Sequence, residues 1–406
     1  MKPRLLILCT LVIPCLFAAC SSVESPEHTF STFEENGVPV ALSSGGPKYT
    51  QPLFTYEELY RFQQDESREE TILGSTGPCR MDADGNVYVS DGPNHRIAVF
   101  DNTGRFIRSF GREGHGPGEF SALRIQDIWK DQIYVNDNRQ RRVSIFRTDG
   151  DFVDVFTYPL NRPRPPIFFT TMAAYPAPDN RVVLFQQGAT QLDGKDGLIF
   201  RIGIETADGE ELIELVTRPA PMPGTFTGAG IFHFVPGRGI LHVKCPEPEM
   251  EWFDLDGTLQ QIIRVDIERE PVTAEDRATV RADIQAAIEN EQQTYLREWA
   301  QRELEDLSFP ELKDVWFGAQ VDAFGYIWAG EPEGSYFSLP HRRKMRIINP
   351  EGEYLGDTWF PDVSGASVTG VPSLGHLIMS WEDVETGAPV IAVFRVRSTI
   401  RGFTYP

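Results

Sequence analysis

Apolar residues fall in short bursts separated by polar turns over most of the chain. Val87-Tyr88-Val89 and Ile97-Ala98-Val99-Phe100 are runs of β-branched and aromatic residues with turn-forming residues on both sides. Such runs predict strands. Residues 105–110 supply a further strand and residues 79–82 a short preceding one. Between them, Asp101-Asn102-Thr103-Gly104 ends in a glycine suited to the positive φ of a hairpin bulge. Four antiparallel strands in about 45 residues predict one propeller blade.

The same pattern then recurs. Asn86 through Gly104 is echoed by Gln132 through Gly150, 46 residues later. A fixed period in this range marks a repeat architecture. The residue before the second strand is Gly85, then Asp131, Asn180, Gly239, Gly325 and Gly375, giving six copies. Val87 to Ile97, with Val99-Phe100-Asp101, resembles the NHL repeat. Gly114-His115-Gly116-Pro117-Gly118-Glu119-Phe120 resembles that family's inter-blade loop. The second copy departs from the pattern, with Gln140-Arg141 in place of Asn94-His95. The resemblance implies an all-β fold, a six-bladed β-propeller over residues 51–406. His95 then belongs to the repeat's own turn rather than to a catalytic site. Such a ring must close, because an open final blade would leave an unpaired edge. Residues 54–62 are expected to complete the last blade.

The step from Gly239 to Gly325 is the longest. Thr273 followed by Glu275 and Asp276 predicts a helix start. Apolar residues at Val280, Ile284, Ile288, Tyr295, Trp299 and Leu307 then recur at helical spacing. A helical insertion over 273–307, as one long helix or two, is expected between blades four and five, as a brace or a lid.

The N-terminus changes the picture of where the protein works. Lys2 and Arg4 precede an apolar run from Leu5 to Phe17, too short to span a bilayer, and the pattern predicts a signal peptide over residues 1–19. Leu16-Phe17-Ala18-Ala19-Cys20 resembles a bacterial lipobox, with Phe17 where leucine is usual. The resemblance implies lipidation of Cys20, export, and anchoring to the cell envelope at the outer membrane. Residues 20–50, rich in Ser, Gly, Pro and Glu, are expected to be a flexible tether. Cys79 and Cys245 fall on separate blades, too far apart for a disulfide, and are expected to be buried free thiols.

The chain carries 59 acidic against 38 basic residues, a net charge of −21. That argues against nucleic acid as a partner. Turns between strands one and two and between three and four are short throughout. The opposite face takes the insertions, including 186–197 and 331–344, the latter with Tyr336, Phe337 and His341. Long loops on a rigid scaffold are where binding residues concentrate. The innermost strands should line the channel mouth there with Arg80, Arg124, Thr171, Gln320 and Thr369. Arg80 and Arg124 could hold an anionic group or pair with Asp82 or Asp127.

Lactonases and amidating lyases resemble this architecture, which implies an alternative: a hydrolase or lyase with calcium or zinc in the channel. The inner strands depart from that metal-binding pattern, and neither Gly-x-Ser-x-Gly nor His-Glu-x-x-His occurs. No metal or other cofactor is therefore expected, with calcium possible only under the alternative. The closing third, including Tyr326-Ile327-Trp328 and residues 349–355, resembles bacterial six-bladed propeller lipoproteins of undefined function. The expectation is a lipid-anchored module that binds a protein or small-molecule ligand.

Overall fold

The structure is a computed structural model. It describes residues 25–406 except 26, 63, 66, 76, 159–160, 165–166, 193–194, 207–210, 222–225, 227–231, 291–293, 306, 333, 335–343, 364–366, 369–373 and 384. Six blade sheets follow one another along the chain, with a two-stranded parallel sheet of Arg112–Glu113 and Glu119–Phe120 between blades one and two. Blade one is Cys79–Met81, Val87–Asp91, Arg96–Phe100 and Phe106–Phe110. Blade two is Leu123–Trp129, Gln132–Asp137, Arg142–Arg147 and Phe152–Thr157. Blade three is Ile167–Ala177, Arg181–Leu192, Lys195–Thr206 and Glu211–Pro221, with Asn161–Arg164 beside its first strand. Blade four is Phe232–Val235, Gly239–Lys244, Glu249–Phe253 and Leu259–Val265. Blade five is Gly318–Val321, Ile327–Gly330, Lys344–Ile348 and Tyr354–Trp359. Blade six is Ser367–Val368, His376–Glu382, Pro389–Ser398 and, from the N-terminus, Phe54–Arg61.

The blades are held by apolar clusters between neighbours rather than by one central core. Tyr88, Ile97 and Val99 of blade one pack on Ile125 and Ile133 of blade two. Trp328 and Ile347 of blade five pack on Leu377 and Met379 of blade six. Ile378, Ile391 and Val393 of blade six pack on Val87, Val89 and Phe100 of blade one, which closes the ring. Each fully buried side chain of this size contributes about 1.5–3 kcal/mol.

Closure is made by the expected N-terminal strand. Phe54–Arg61 pairs antiparallel with the third strand of blade six, from Ser398 opposite Phe54 to Ala392 opposite Arg61. Phe54 is 3% exposed, and its ring stacks on Trp328 with centroids 5.2 Å apart. The turn glycines expected from the repeat sit at φ 81° (Gly104) and 95° (Gly150). A Cβ at Gly104 would meet the carbonyl of Arg61, and one at Gly150 the ring of Phe110. Each of these turns therefore packs on the outer strand of the preceding blade, and glycine is needed both for the backbone conformation and for the approach.

The tether expected over residues 20–50 is corrected from residue 29 onward. Thr29–Glu35 and Val38–Ser44 form a hairpin. Its second strand runs parallel to the outer strand of blade four, with Val40 opposite Ile262 and Ser43 opposite Val265. The chain then follows the outer strand of blade five: the N–H of Lys48, Tyr49 and Leu53 donate to the carbonyls of Tyr354, Leu355 and Asp357 at 3.1, 2.8 and 2.8 Å. The N-terminal segment thus crosses the outer edges of blades four, five and six in turn. Val40 and Ala41, each 1% exposed, supply the burial that a Ser-Gly-rich composition does not suggest. Cys79 and Cys245 are buried and are not joined in a disulfide.

Two helices, α1 (Ala274–Asn290) and α2 (Thr294–Glu305), lie in the chain between blades four and five. Thr273 caps α1: its Oγ1 accepts from the Asp276 N–H at 3.1 Å, and the Asp276 carboxylate accepts from the Thr273 N–H at 2.9 Å. Val280, Ile284 and Ala300 form a separate small core with Phe226, Val272 and Phe309. Trp299, expected on the buried stripe, is 39% exposed, whereas Ala300 is fully buried. The buried side of α2 therefore passes through Ala300 rather than Trp299. The Tyr295 side chain lies outside the described residues.

Candidate functional site

Strand register aligns the six blades more closely than the sequence does. Tyr88, Tyr134, Val183, Leu241, Trp328 and Ile378 each sit on a second strand and pack toward the following blade. Opposite the first five, on the innermost strands, stand Arg80, Asp127, Tyr175, His233 and Gln320. The innermost strand of blade six is described only to Val368. The next residue, Thr369, lies outside the described residues, as do Cys20, Tyr336, Phe337 and His341. One polar side chain per described blade therefore stands at the same level of the channel wall.

These side chains reach sideways to neighbouring inner strands. The Arg80 Nε donates to the carbonyl of Gln126 at 2.9 Å, and its Nη1 to that of Cys79 at 2.8 Å. Gln126 is the extra residue of a bulge between Ile125 and Asp127. The Nδ1 of His233 accepts from the N–H of Val321 in blade five at 2.8 Å. That donor fixes the neutral tautomer, with the proton on Nε2. Burial, assisted by the Arg80 charge, lowers the His233 pKa to about 4, so this imidazole is a neutral donor near pH 7. Burial raises the Asp127 pKa, and the Arg80 guanidinium works against that rise. Burial also raises the Tyr175 pKa, tempered by Arg80 and Arg124 and reinforced by Asp127.

Toward the long-loop end the wall changes character. Arg124 is exposed, opposite Asn136 and on the same side of its strand as Asp127. It makes no hydrogen bond or ion pair among the described residues. Met172 and Phe317 are 44% and 43% exposed, on the inner strand of blade three and just before that of blade five. Gln320 is exposed. Thr171 is turned away: it is buried and accepts from Gln186 Nε2 at 3.0 Å. Of the residues expected at the mouth, Arg80, Arg124 and Gln320 belong to the channel wall and Thr171 to the interior of blade three. Tyr175, His233 and Phe317 were missed, and Asp127 was expected only as a pairing partner. Bulges at Gln126 and Met172 shift the strand phase within their blades.

Above this ring a second level braces the loops. Asp91 is paired with Arg96 at 2.9 Å and also accepts from the Gly74 N–H at 2.9 Å. Three residues beyond the equivalent reference positions, blade four has Lys244 against Glu249 at 2.5 Å, and blade five has Glu331 against Lys344 at 2.8 Å. Blade three has Gln186 beside Arg201, whose Nε donates to Glu214 at 3.0 Å and whose Nη1 lies 3.3 Å from Glu205. Blade two uses the position differently. Asp137 accepts from the Ser121 N–H at 2.7 Å, while Arg142 holds the carbonyls of His115 and Gly116 at 3.0 and 2.7 Å. The Asp–Arg element of the repeat thus fastens inter-blade loops. The stretch 186–197, expected as a loop, is instead a paired extension of blade three, running from Gln187 opposite Phe200 to Leu192 opposite Lys195. Phe226, between that blade and the next, packs beneath α1. The long-loop face therefore carries raised structure over blades three to five.

Residues 66–160 match a family described as "6-bladed beta-propeller". No curated protein matches the chain. Among solved structures, a Bacteroides fragilis protein described as exported aligns at TM-score 0.46 and 10% identity, covering 85% of this chain and 95% of that one. A member of the DUF4221 family from Bacteroides vulgatus aligns at 0.46 and 12%, covering 86% and 100%. A catalytically inactive virginiamycin B lyase from Staphylococcus aureus, solved with quinupristin, aligns at 0.39 and 12%, covering 84% and 99%. At these identities the likeness concerns the fold alone.

Proposed function

From the six-bladed β-propeller that this chain forms, we propose a lipid-anchored extracytoplasmic module that binds its ligand or partner at the long-loop mouth of the channel. The observation that carries this reading is the exposure of Arg124, Met172 and Phe317, which lie on or just before the inner strands of blades two, three and five. An exposed cation and exposed large apolar side chains on the inner strands suit binding, because few polar groups fix orientation while apolar area supplies affinity.

The anchor is Cys20, on the strength of the lipobox-like segment before it. The fastened part of the chain starts close behind. The Ser25 N–H donates to the Lys48 carbonyl at 2.7 Å. His28 and Lys48 lie 3.3 and 3.1 Å from Glu353, in the short turn before the outer strand of blade five. Five residue steps from Cys20 to Ser25 span at most ~18 Å. Lipidation would therefore hold the short-turn rim of blades four and five near the membrane and direct the long-loop face outward.

The test is capture of the native lipoprotein from its membrane, followed by mass spectrometry, with and without chelator. A specific, chelator-indifferent partner or ligand supports a binding module. Recovery of none, alongside chelator-sensitive turnover of a lactone or peptide substrate, would replace it with an enzyme.

A further inference from the structure

We infer that the outer strand of the N-terminal hairpin, Thr29–Glu35, pairs antiparallel with the same strand of a second copy, about a two-fold axis at Thr32. The inference does not involve the channel mouth and stands apart from the reading above.

The strand is an open edge with a fixed hydrogen-bonding phase. It ends the six-stranded sheet of blade four, and among the described residues it pairs only with Val38–Ser44. Asn36 and Gly37, at φ 53° and 82°, make the two-residue turn between the strands. Glu35 and Val38, which flank that turn, therefore exchange backbone hydrogen bonds. Bonded and unbonded pairs alternate from there, so Phe30 and Ser43 form an unbonded pair. In agreement, the Ser43 carbonyl is turned the other way and accepts from the Asp266 N–H at 2.8 Å. The backbone N–H and C=O groups of Phe30, Thr32 and Glu34 thus point outward from the sheet.

This edge also lacks the usual guards. Outer strands are normally blunted by charge, proline or a covering segment. Those of blades one, two, three and six carry Arg108, Asp154, Glu214, and Glu57 with Glu58. That of blade five is covered by the chain from Lys48 to Leu53. Phe30-Ser31-Thr32-Phe33 holds neither charge nor proline, and Phe33 is 43% exposed.

Register selects a second copy as the occupant. Outward groups must meet outward groups. Setting Thr32 against Thr32 places Phe30 opposite Glu34 and forms all three bonded pairs, whereas a slip of two residues leaves two. In that register Ser31 faces Phe33, and the two Phe33 rings become diagonal neighbours within aromatic reach. Glu34 and Glu35 meet Phe30 and Thr29, so no carboxylates oppose each other, and Glu35 keeps its Arg264 partner at 2.6 Å. The contact is isologous and closes at two copies. Twist of about 20–25° per strand step, accumulated from Phe232–Val235 out to Thr29–Glu35, turns the edge strand roughly a right angle from the inner one. The two-fold, normal to the sheet at Thr32, then runs roughly along the propeller axis, and both copies turn the same face to a membrane. Pairing confined to one strand is a small contact of the weak class, so the fold of each copy does not depend on it.

The test combines sedimentation of the mature lipoprotein in mild detergent with oxidative cross-linking in the membrane. Wild type is expected to dimerise below about 0.3 mM. Thr32→Pro, which removes one outward N–H at an edge that tolerates proline, should be monomeric and melt like the parent. Thr32→Cys should cross-link to itself, since the paired Cα atoms lie about 5.5 Å apart. Ser31→Cys should cross-link when mixed with Phe33→Cys but not alone. The inference is overturned if wild type stays monomeric, if Thr32→Pro dimerises equally, or if Ser31→Cys cross-links as readily alone as in the mixture. A monomeric wild type that captures a membrane partner lost by Thr32→Pro would assign the edge to a foreign strand and likewise overturn it.

Discussion

Lys244 meets Glu249 at 2.5 Å on the register position where blade one sets Asp91 against Arg96, with the charges exchanged between strands. The propeller conserves the pair while changing its residues. Burial differs, however. The Asp91 side chain is fully buried and also binds Gly74 and Asn94, whereas Lys244 and Glu249 are 29% and 15% exposed. Asp91→Ala should therefore destabilise by about 3 kcal/mol, because it removes the fully buried carboxylate that the Gly74 N–H, the Asn94 amide and the partly buried Arg96 guanidinium all bind. Glu249→Ala should cost about 1 kcal/mol, since the pair is partly solvated. Denaturant titration of both variants checks the order, and equal costs would contradict it.

Closure predicts a second contrast. Phe54→Ala should cost about 3–5 kcal/mol, because it empties the contact with Trp328 and Tyr405 at the seam of the ring. Phe33→Ser, on the exposed strand of the N-terminal hairpin, should change stability by no more than about 0.5 kcal/mol. Thermal melting with matched denaturant curves distinguishes them.

His233 predicts a pH dependence. Its folded pKa, about 4, lies below the unfolded value of about 6.5. The unfolded chain therefore binds the proton first as the pH falls. The stability due to neutral His233 is present above about pH 6.5 and is lost progressively down to about pH 4. The loss approaches about 3 kcal/mol at the lower end. His233→Gln should flatten this part of the stability–pH curve between pH 7 and 4.5. A slope that survives the substitution would assign the effect elsewhere.

The anchor geometry predicts orientation. A fluorophore on Glu351→Cys, in the short turn of blade five, should be quenched by brominated lipid. The same fluorophore on Arg139→Cys, in the turn between the second and third strands of blade two, should not. Cys20→Ala should release the protein from the membrane and abolish both readings. Equal quenching at the two positions in the anchored protein would contradict the proposed orientation.

Much of the ring was legible because its signals are local. Asp91 and Asp137 carry the repeat frame. Gly104 and Gly150 occupy positive-φ turns that other residues adopt only under strain, and residues 54–61 alternate like the missing strand. What escaped depends on distant partners or on phase. Val38–Ser44 is a strand only because it lies beside Ile262 to Val265, far along the chain, and nothing in its Ser-Gly-rich flanks announces that partner. The Lys244–Glu249 pair is hidden by its reversed sign. Tyr175 takes its place in the channel wall beyond a bulge, which strand propensity does not encode. Trp299 was placed on the buried stripe that in α2 passes through Ala300.

The most direct test of the binding mouth is a comparison of native membrane capture by wild type, by a Met172→Asp/Phe317→Asp variant of the long-loop mouth, and by an Asp149→Ser variant of the short-turn face. All three should fold, since each substituted side chain is exposed or lies in a solvated turn. The account predicts that the mouth variant loses the recovered ligand or partner while the turn variant retains it. Recovery of the same species by all three, in equal yield, would contradict binding at the channel mouth.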